Sequence, residues 1–456
     1  MKAAENRVPC RAIIDSKPYT VDGGWFNVPR NIAEKVPRRL HLEKDHPISI
    51  TRQIIESVFT PPTYRHLTGL NPMVSTHQNF DSLGFPPDHP GRARTDTYYI
   101  NAKTLLRTHT SAHQADTFRA NLSPGYLITA DVYRRDTIDR SHYPIFHQME
   151  GAHSWDRNLA PGGDIAAQIR SDLEKLPTPS VEVSDPNPPF HPERNPLQSE
   201  HHSPAEAEAI AAHLKRSLEL MVVELFSRAR TASERAKRAV GDFESKHEPL
   251  QVRWVEAYFP FTSPSWELEV FWNGDWLEVL GCGVVQQHLY VNADVPSQLG
   301  WAFGLGLDRL AMLLFQIPDI RLLWSQDERF LSQFRGVSDD LDLLRPFRLF
   351  SKYPACQRDV SFWLPENPGA ASIAAAVNGG ELHTNDILDI LRTVAGDCVE
   401  DVRHFDSYTH PETGRRSMAF RIRYRSLERT LTGGEANGMH KHFITLLVHK
   451  YGVEIR

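Results

Sequence analysis

From Val252 to Val285 apolar and polar side chains alternate with the period of two that a strand buried on one face requires, and Asn273-Gly274 interrupts the run with a dipeptide suited to the positive φ angles of a two-residue hairpin. A helical repeat does not fit that stretch, so the middle of the chain is predicted as antiparallel sheet. Glu267, Glu269 and Phe271 fall on one face of the hairpin, Leu268, Val270 and Trp272 on the other, and Glu278 lies on the return strand. The flanking segments keep the helical period. Ile210, Leu214, Leu218, Met221, Val222 and Leu225 predict a helix over 205–238 with Lys215, Arg216 and Glu219 on its solvated side; Leu307, Leu310, Ala311 and Leu314 predict another that ends by Pro318.

Two changes of composition divide the chain. Between Trp155 and Pro204 lie nine prolines and few large apolar residues, which reads as an inserted loop, partly disordered and without a packed core of its own. The second change, at 338–345, reads as a linker. Beyond it the expected order is a strand at 359–364, a helix near 385–394, strands at 399–408 and 418–425, a helix over 434–451 and a last strand at 453–456. That β-α-β-β-α-β order is a ferredoxin-like unit. The expected division is an N-terminal extension (1–40), a main unit (41–337) with the insertion at 155–204, the linker, and a C-terminal unit (346–456), within the range of about three domains that 456 residues suggest. With 40% apolar and 24% charged residues the chain is expected to be globular, and no run nears the ~18 to 20 apolar residues of a membrane helix. Net charge is −6, so any nucleic-acid contact must come from a local patch. Four cysteines without a Cys-x-x-Cys pair argue against a disulfide framework and against structural zinc, and fit a reducing compartment.

Five segments carry groups suited to chemistry. Asp131 to Arg135 and Ile145 to Glu150 read as two strands of a hairpin, which places Phe146, Gln148 and Glu150 in a row on one face and Ile145, His147 and Met149 on the other. An aromatic can stack on a purine, an amide and a carboxylate can grip an ammonium, and Arg134 can hold a phosphate. Arg107 to Gln114 is dense in hydroxyl, imidazole and amide groups; His109 and His113 are four apart, but Thr110 stands where a zinc protease has Glu, so no metal is expected there. Phe259 and Phe261 flank Pro260 and can form an apolar slot, or simply core. Gly300 to Arg309 is a glycine-rich strand end entering a helix, with Arg309 where a dinucleotide fingerprint would have its third Gly. Finally Arg421, Arg423 and Arg425 share one strand face, backed by Phe420, Ile422 and Tyr424, and form a candidate stripe for phosphate backbone.

Each motif alone is ambiguous, but their order is not. Thr-Ser-Ala-His-Gln, Asp-Val-Tyr-Arg-Arg-Asp, His-Tyr-Pro-Ile-Phe-His-Gln, Tyr-Phe-Pro-Phe-Thr, Trp-Leu-Glu-Val-Leu-Gly-Cys-Gly-Val and Trp-Ala-Phe-Gly-Leu-Gly-Leu-Asp-Arg together resemble the class II aminoacyl-tRNA synthetases, specifically the single-chain mitochondrial phenylalanyl-tRNA synthetases, from about His41 onward apart from the insertion. The resemblance implies an α+β fold: an antiparallel catalytic sheet flanked by helices, plus a ferredoxin-like anticodon-binding domain. It implies ATP, L-phenylalanine and tRNA(Phe) as partners, Mg²⁺ with the ATP, no membrane, and a monomer of the mitochondrial matrix. Met1 to Arg7 shows no transit peptide, so that location rests on resemblance alone.

The implied roles are Arg134 at the α-phosphate, Phe146 on adenine, Arg309 at the γ-phosphate end, and Gln148 and Glu150 on the amino group, with His109, Ser111, Gln114 and His142 nearby. Phe259 and Phe261 select the phenyl ring over a floor at Ala302. Ala112, His113, Ser141, Tyr143, Met149, Glu278 and Phe303 carry over as further substrate-binding positions, Glu278 also as a Mg²⁺ ligand. Two rivals are a non-catalytic RNA-binding relative and a metal hydrolase. Arginines for both ends of a nucleotide argue against the first, and the scatter of the 22 histidines against the second.

Overall fold

The computed structural model describes residues 11–239, 250–272, 274–350, 353–365 and 382–456. Asn273, half of the hairpin dipeptide, lies outside them; Gly274 has φ +90°, the conformation that dipeptide supplies.

The main unit is an eight-stranded sheet whose strands are β1 (Tyr64–Leu67), β2 (Gly125–Tyr133), β3 (Ile145–Asp156), β4 (Glu182–Ser184), β5 (Gln251–Glu256), β6 (Thr262–Trp272), β7 (Asp275–Val285) and β8 (Gln298–Gly306). Their spatial order is β1-β2-β3-β8-β7-β6-β5-β4. The six central strands pair antiparallel, as expected, while β1 and β4 add parallel edges. Helices α1 (Pro47–Glu56), α2 (Ile165–Glu174), α3 (Pro204–Ala239) and α4 (Leu307–Phe315) accompany this unit, and α1, α3 and α4 cover one face of the sheet. Onto that face the strands send Met149, Trp266, Leu268, Leu280, Cys282, Trp301, Phe303 and Leu305, all buried in one core. The other face is clothed more thinly, and the small residues described below leave it open.

The C-terminal unit has the expected topology. Strands β9 (Cys356–Trp363), β10 (Val399–Thr409), β11 (Arg416–Tyr424) and β12 (Glu454–Ile455) form a sheet ordered β10-β11-β9-β12, with α5 (Thr384–Ala395) and α6 (Gly433–Tyr451) as the intervening helices. Phe420, Ile422 and Tyr424 are fully buried in its core, as the alternation requires.

Four expectations need correction. The stretch 155–204 is not a structureless loop: α2 packs on α3 through Ile165, Ala166 and Ile169, β4 extends the sheet, and Asn195 exchanges hydrogen bonds with the backbone of Ser265. Its prolines sit in the connections, at the start of a 3-10 turn (Pro161) or at the first position of α3 (Pro204), where they interrupt little. Lys215, expected in solvent, is buried, with its ammonium 2.7 Å from Asp185 and over the Trp266 ring. The linker expected at 338–345 belongs to the main unit, because Leu344 enters its core, Leu341 packs against it and Asp342 pairs with Arg228; Phe347, expected in the C-terminal unit, joins the same core. The N-terminal residues also join that core through Ile14, Val28, Ile32 and Val36.

Candidate active site

Cross-strand register decides which side chains share the open face. Gln148 lies opposite Gly306 and Glu150 opposite Gly304; Gly304 in turn lies opposite Gly281, and Ala302 opposite Gly283. Residues directly opposite one another point to the same side. The row Phe146, Gln148, Glu150 therefore runs beside a floor of Ala302, Gly304 and Gly306. A Cβ added at Gly304 or Gly306 would meet no atom within 4 Å, so the floor is cleared for something other than protein.

At one end of the row stands Glu150, buried, its carboxylate accepting hydrogen bonds from the hydroxyl of Ser111, from Gln114 Nε2 at 3.1 Å and from the hydroxyl of Tyr126 at 3.0 Å. Burial outweighs these three bonds and pushes the carboxyl up to about 7. A cationic group brought here supplies the charge that the site lacks. Gln148 Oε1 accepts from the backbone N–H of Thr110 at 3.3 Å, so the segment 110–114 is fastened to the row at two points. Tyr126, which follows from the same alternation on β2, was not singled out by sequence.

At the other end the Arg134 guanidinium lies 5.2 Å from the centre of the Phe146 ring, and its Nε donates to the carbonyl of Thr108 at 2.7 Å. Arg134 is thus already held against the aromatic expected to stack on a purine. Arg309, third residue of α4, is exposed. Across the hairpin Glu278 faces Glu269, and Glu267 lies two residues along the same strand as Glu269. The Glu267 carboxyl is raised by burial and by those two neighbouring carboxylates.

The apolar slot lies beyond Glu150. Phe261, Phe85, Tyr126, Ala152 and Ala302 belong to one cluster, with the Phe85 ring 5.5 Å from Phe261 and stacked on His109 at 5.7 Å. Phe259 lies over Gly281, where a Cβ would sit 2.5 Å from its ring. His109 is held neutral, lowered to about 3 by burial and then by Arg134, and neither ring nitrogen has a hydrogen-bond partner. Phe85 was missed by sequence because it follows a turn-rich stretch with no periodicity to place it.

Other expected positions lie elsewhere. Met149 and Phe303 point into the helix-covered core, since odd positions of β3 and β8 face away from the row. Ala112 packs in a small core with Val74, Phe80 and Leu105, and His113 Nε2 lies 3.1 Å from the Arg107 guanidinium. Ser141, His142 and Tyr143 stand on the β2–β3 connection, which is docked on the C-terminal unit: Tyr143 stacks on Trp324 and donates to Asp397 at 2.7 Å, while Ser141 and His142 bond to Asp139. The arginine stripe is not free either. Arg421 pairs with Asp359 at 2.8 Å, and Arg425 approaches the buried Glu400 at 3.1 Å with Arg423 at 3.8 Å.

Residues 31–162 and 216–334 match the tRNA synthetases class II core domain (F), and residues 351–456 the ferredoxin-fold anticodon binding domain. The gap between the two core segments contains most of the proline-rich insertion. The chain is 44% identical to "Phenylalanine--tRNA ligase, mitochondrial" of Saccharomyces cerevisiae over 97% of its length and 94% of that protein's. It is 40% identical to the Mus musculus protein of the same name, covering 94% of this chain and 86% of the relative. The "Phenylalanine--tRNA ligase alpha subunit" of Synechocystis sp. is 31% identical over 63% of this chain and 66% of its own length. Two matched domains in this order, near-full coverage of the mitochondrial relatives and an open sheet face lined as described lead to one conclusion: the chain belongs to the class II phenylalanyl-tRNA synthetases, in their single-chain mitochondrial form.

Proposed function

We propose that this chain joins L-phenylalanine to tRNA(Phe) in two steps through a phenylalanyl-adenylate, acting as a monomer in mitochondria. The observation that carries the reading is the row on β3: an aromatic under an arginine at one end, and a buried, hydrogen-bonded carboxylate beside an apolar slot at the other. Such a row accepts a nucleotide and an amino acid side by side.

Phenylalanine enters with its ring between Phe259 and Phe261 above Ala302, and its ammonium meets Glu150, Gln148 and Ser111. Its carboxylate is then directed toward the nucleotide end. Phe146 stacks on adenine, Arg134 turns from Phe146 to the α-phosphate, and Arg309 holds the γ-phosphate end. The carboxylate oxygen attacks the α-phosphorus in line and pyrophosphate leaves, so no protein nucleophile is required. Positioning and charge stabilisation carry the rate. Glu278 with its acidic neighbours Glu267 and Glu269 would hold a Mg²⁺ ion together with the substrate's own oxygens, and the ion would supply neutralisation of phosphate charge. Among the described residues no group of three or more His, Cys, Asp or Glu side chains is arranged to hold a metal by itself. A tRNA ribose 2′-hydroxyl then takes the acyl group and AMP departs. Arg421, Arg423 and Arg425 serve the tRNA backbone, exchanging their present carboxylate partners for phosphates.

Pyrophosphate exchange into ATP, measured for each of the twenty amino acids without tRNA, tests the proposal. Stimulation by phenylalanine is expected, with tyrosine as the competitor to watch, because an apolar slot rejects an added hydroxyl by only about 10². Silence from a folded sample that binds tRNA would leave the fold without the activity.

A further inference from the structure

Pairing between β3 and β8 ends at Gln148 and Gly306. The next N–H along β3, that of His147, therefore lacks a strand carbonyl. It donates instead to Asp308 Oδ2 at 2.5 Å, and the His147 ring nitrogen Nδ1 lies 3.1 Å from the same oxygen. Both side chains are buried. His147 is further wedged behind the sheet, stacked on Trp324 with ring centres 6.0 Å apart and tilted against His41 at 5.5 Å. Asp308 sits in the first turn of α4, where a carboxylate is favoured by the helix N-terminus, yet no side chain caps that helix. The carboxylate is committed to β3, not to its own helix. Arg309 is the next residue.

We infer that Asp308 is a positioning residue: by taking the unpaired N–H and the imidazole of His147 it fastens the start of α4 to β3, and so fixes where Arg309 stands relative to Phe146 and Gln148. This rests on the reading of Arg309 as the ligand of the γ-phosphate end. The strand carrying Phe146 and Gln148 has His147 between them, so the tie spans one residue on each side. Without it, α4 is held only by the apolar packing of Leu307, Leu310, Ala311 and Leu314, which buries the helix without a directional bond from its first turn to β3.

Steady-state pyrophosphate exchange on the full chain, with separate constants for ATP and phenylalanine, tests this. Asp308→Ala is expected to lose about 10²-fold in kcat/KM for ATP, the scale of an ångström-sized misplacement, while KM for phenylalanine stays within about twofold. Asp308→Asn keeps the volume and one acceptor for the His147 N–H, and is expected to lose less in ATP and nothing in phenylalanine. An equal rise in KM for both substrates would mean a general structural defect, and unchanged ATP constants would mean no positioning role; either overturns the inference. If Asp308→Ala does not fold, Asp308→Asn decides by the same split. Wild-type protein without phenylalanine-dependent exchange would overturn the reading of the site and not this inference alone.

Discussion

Glu150 shows how one side chain can be prepared for a substrate that has not arrived. Its carboxyl titrates near 7 because burial costs the anion more than three hydrogen bonds return. Its folded value exceeds its ordinary 4.5, so the folded protein binds more protons than the unfolded chain between those values; the stability that Glu150 contributes is complete below about 4.5 and lost as pH rises through about 7. An ammonium partner reverses the preference and favours the anion. The expected result is that kcat/KM for phenylalanine rises between pH 6 and 8, and that Glu150→Gln flattens this profile. A wild-type profile already flat across that interval would show that Glu150 is ionised without substrate. The residues on this row were legible in the sequence because strand alternation is a strict rule, and Met149 and Phe303 fall out of the site by the same rule.

At the level of elements, the glycines of β8 and β7 have two different jobs. A Cβ at Gly281 collides with Phe259, whereas one at Gly304 meets nothing. Gly304→Val is therefore expected to leave the melting temperature unchanged or raised, since valine suits a strand better than glycine, while filling the space where a substrate would lie. Exchange activity should fall by about 10² or more; retained activity would show that the floor is not a binding surface. Among the described residues the strands and α-helices of the C-terminal unit lie within a few residues of where the sequence placed them, because the longer ones keep a clear period between turns. The segment 155–204 was not, since proline-rich connections hide the ten residues of α2 and the three of β4. Nor could the sequence place the 338–345 stretch: Leu341 and Leu344 are too few to form a pattern, and only tertiary packing shows where they go.

On the scale of the whole molecule, the β2–β3 connection joins the two units. Arg135, beside Arg134, reaches Asp386 at 2.7 Å and Asp389 at 2.8 Å; Arg140 reaches Glu400 at 2.8 Å; Ile138 enters the core of the C-terminal unit. Arg392 returns the contact by donating to the carbonyl of Thr137 at 2.8 Å. None of this was visible in sequence, where these residues read as a polar loop about 250 positions away from their partners. Arg135→Ala takes the cation from Asp386 and one of two from Asp389, which keeps Arg392 and the Tyr98 hydroxyl, each at 3.3 Å; the expected loss is below the ~3–5 kcal/mol of a fully broken buried pair. Thermal unfolding is expected to show the C-terminal unit melting earlier in the variant, with phenylalanine activation less affected than tRNA charging; coincident wild-type and variant transitions would contradict this. The central claim is that one sheet face holds two substrates in two halves, and the direct measurement is a pair of exchange titrations on Phe146→Ala and Glu150→Gln. The account predicts a crossed result, with KM for ATP rising in the first variant and KM for phenylalanine in the second. Both constants rising together in both variants would contradict it.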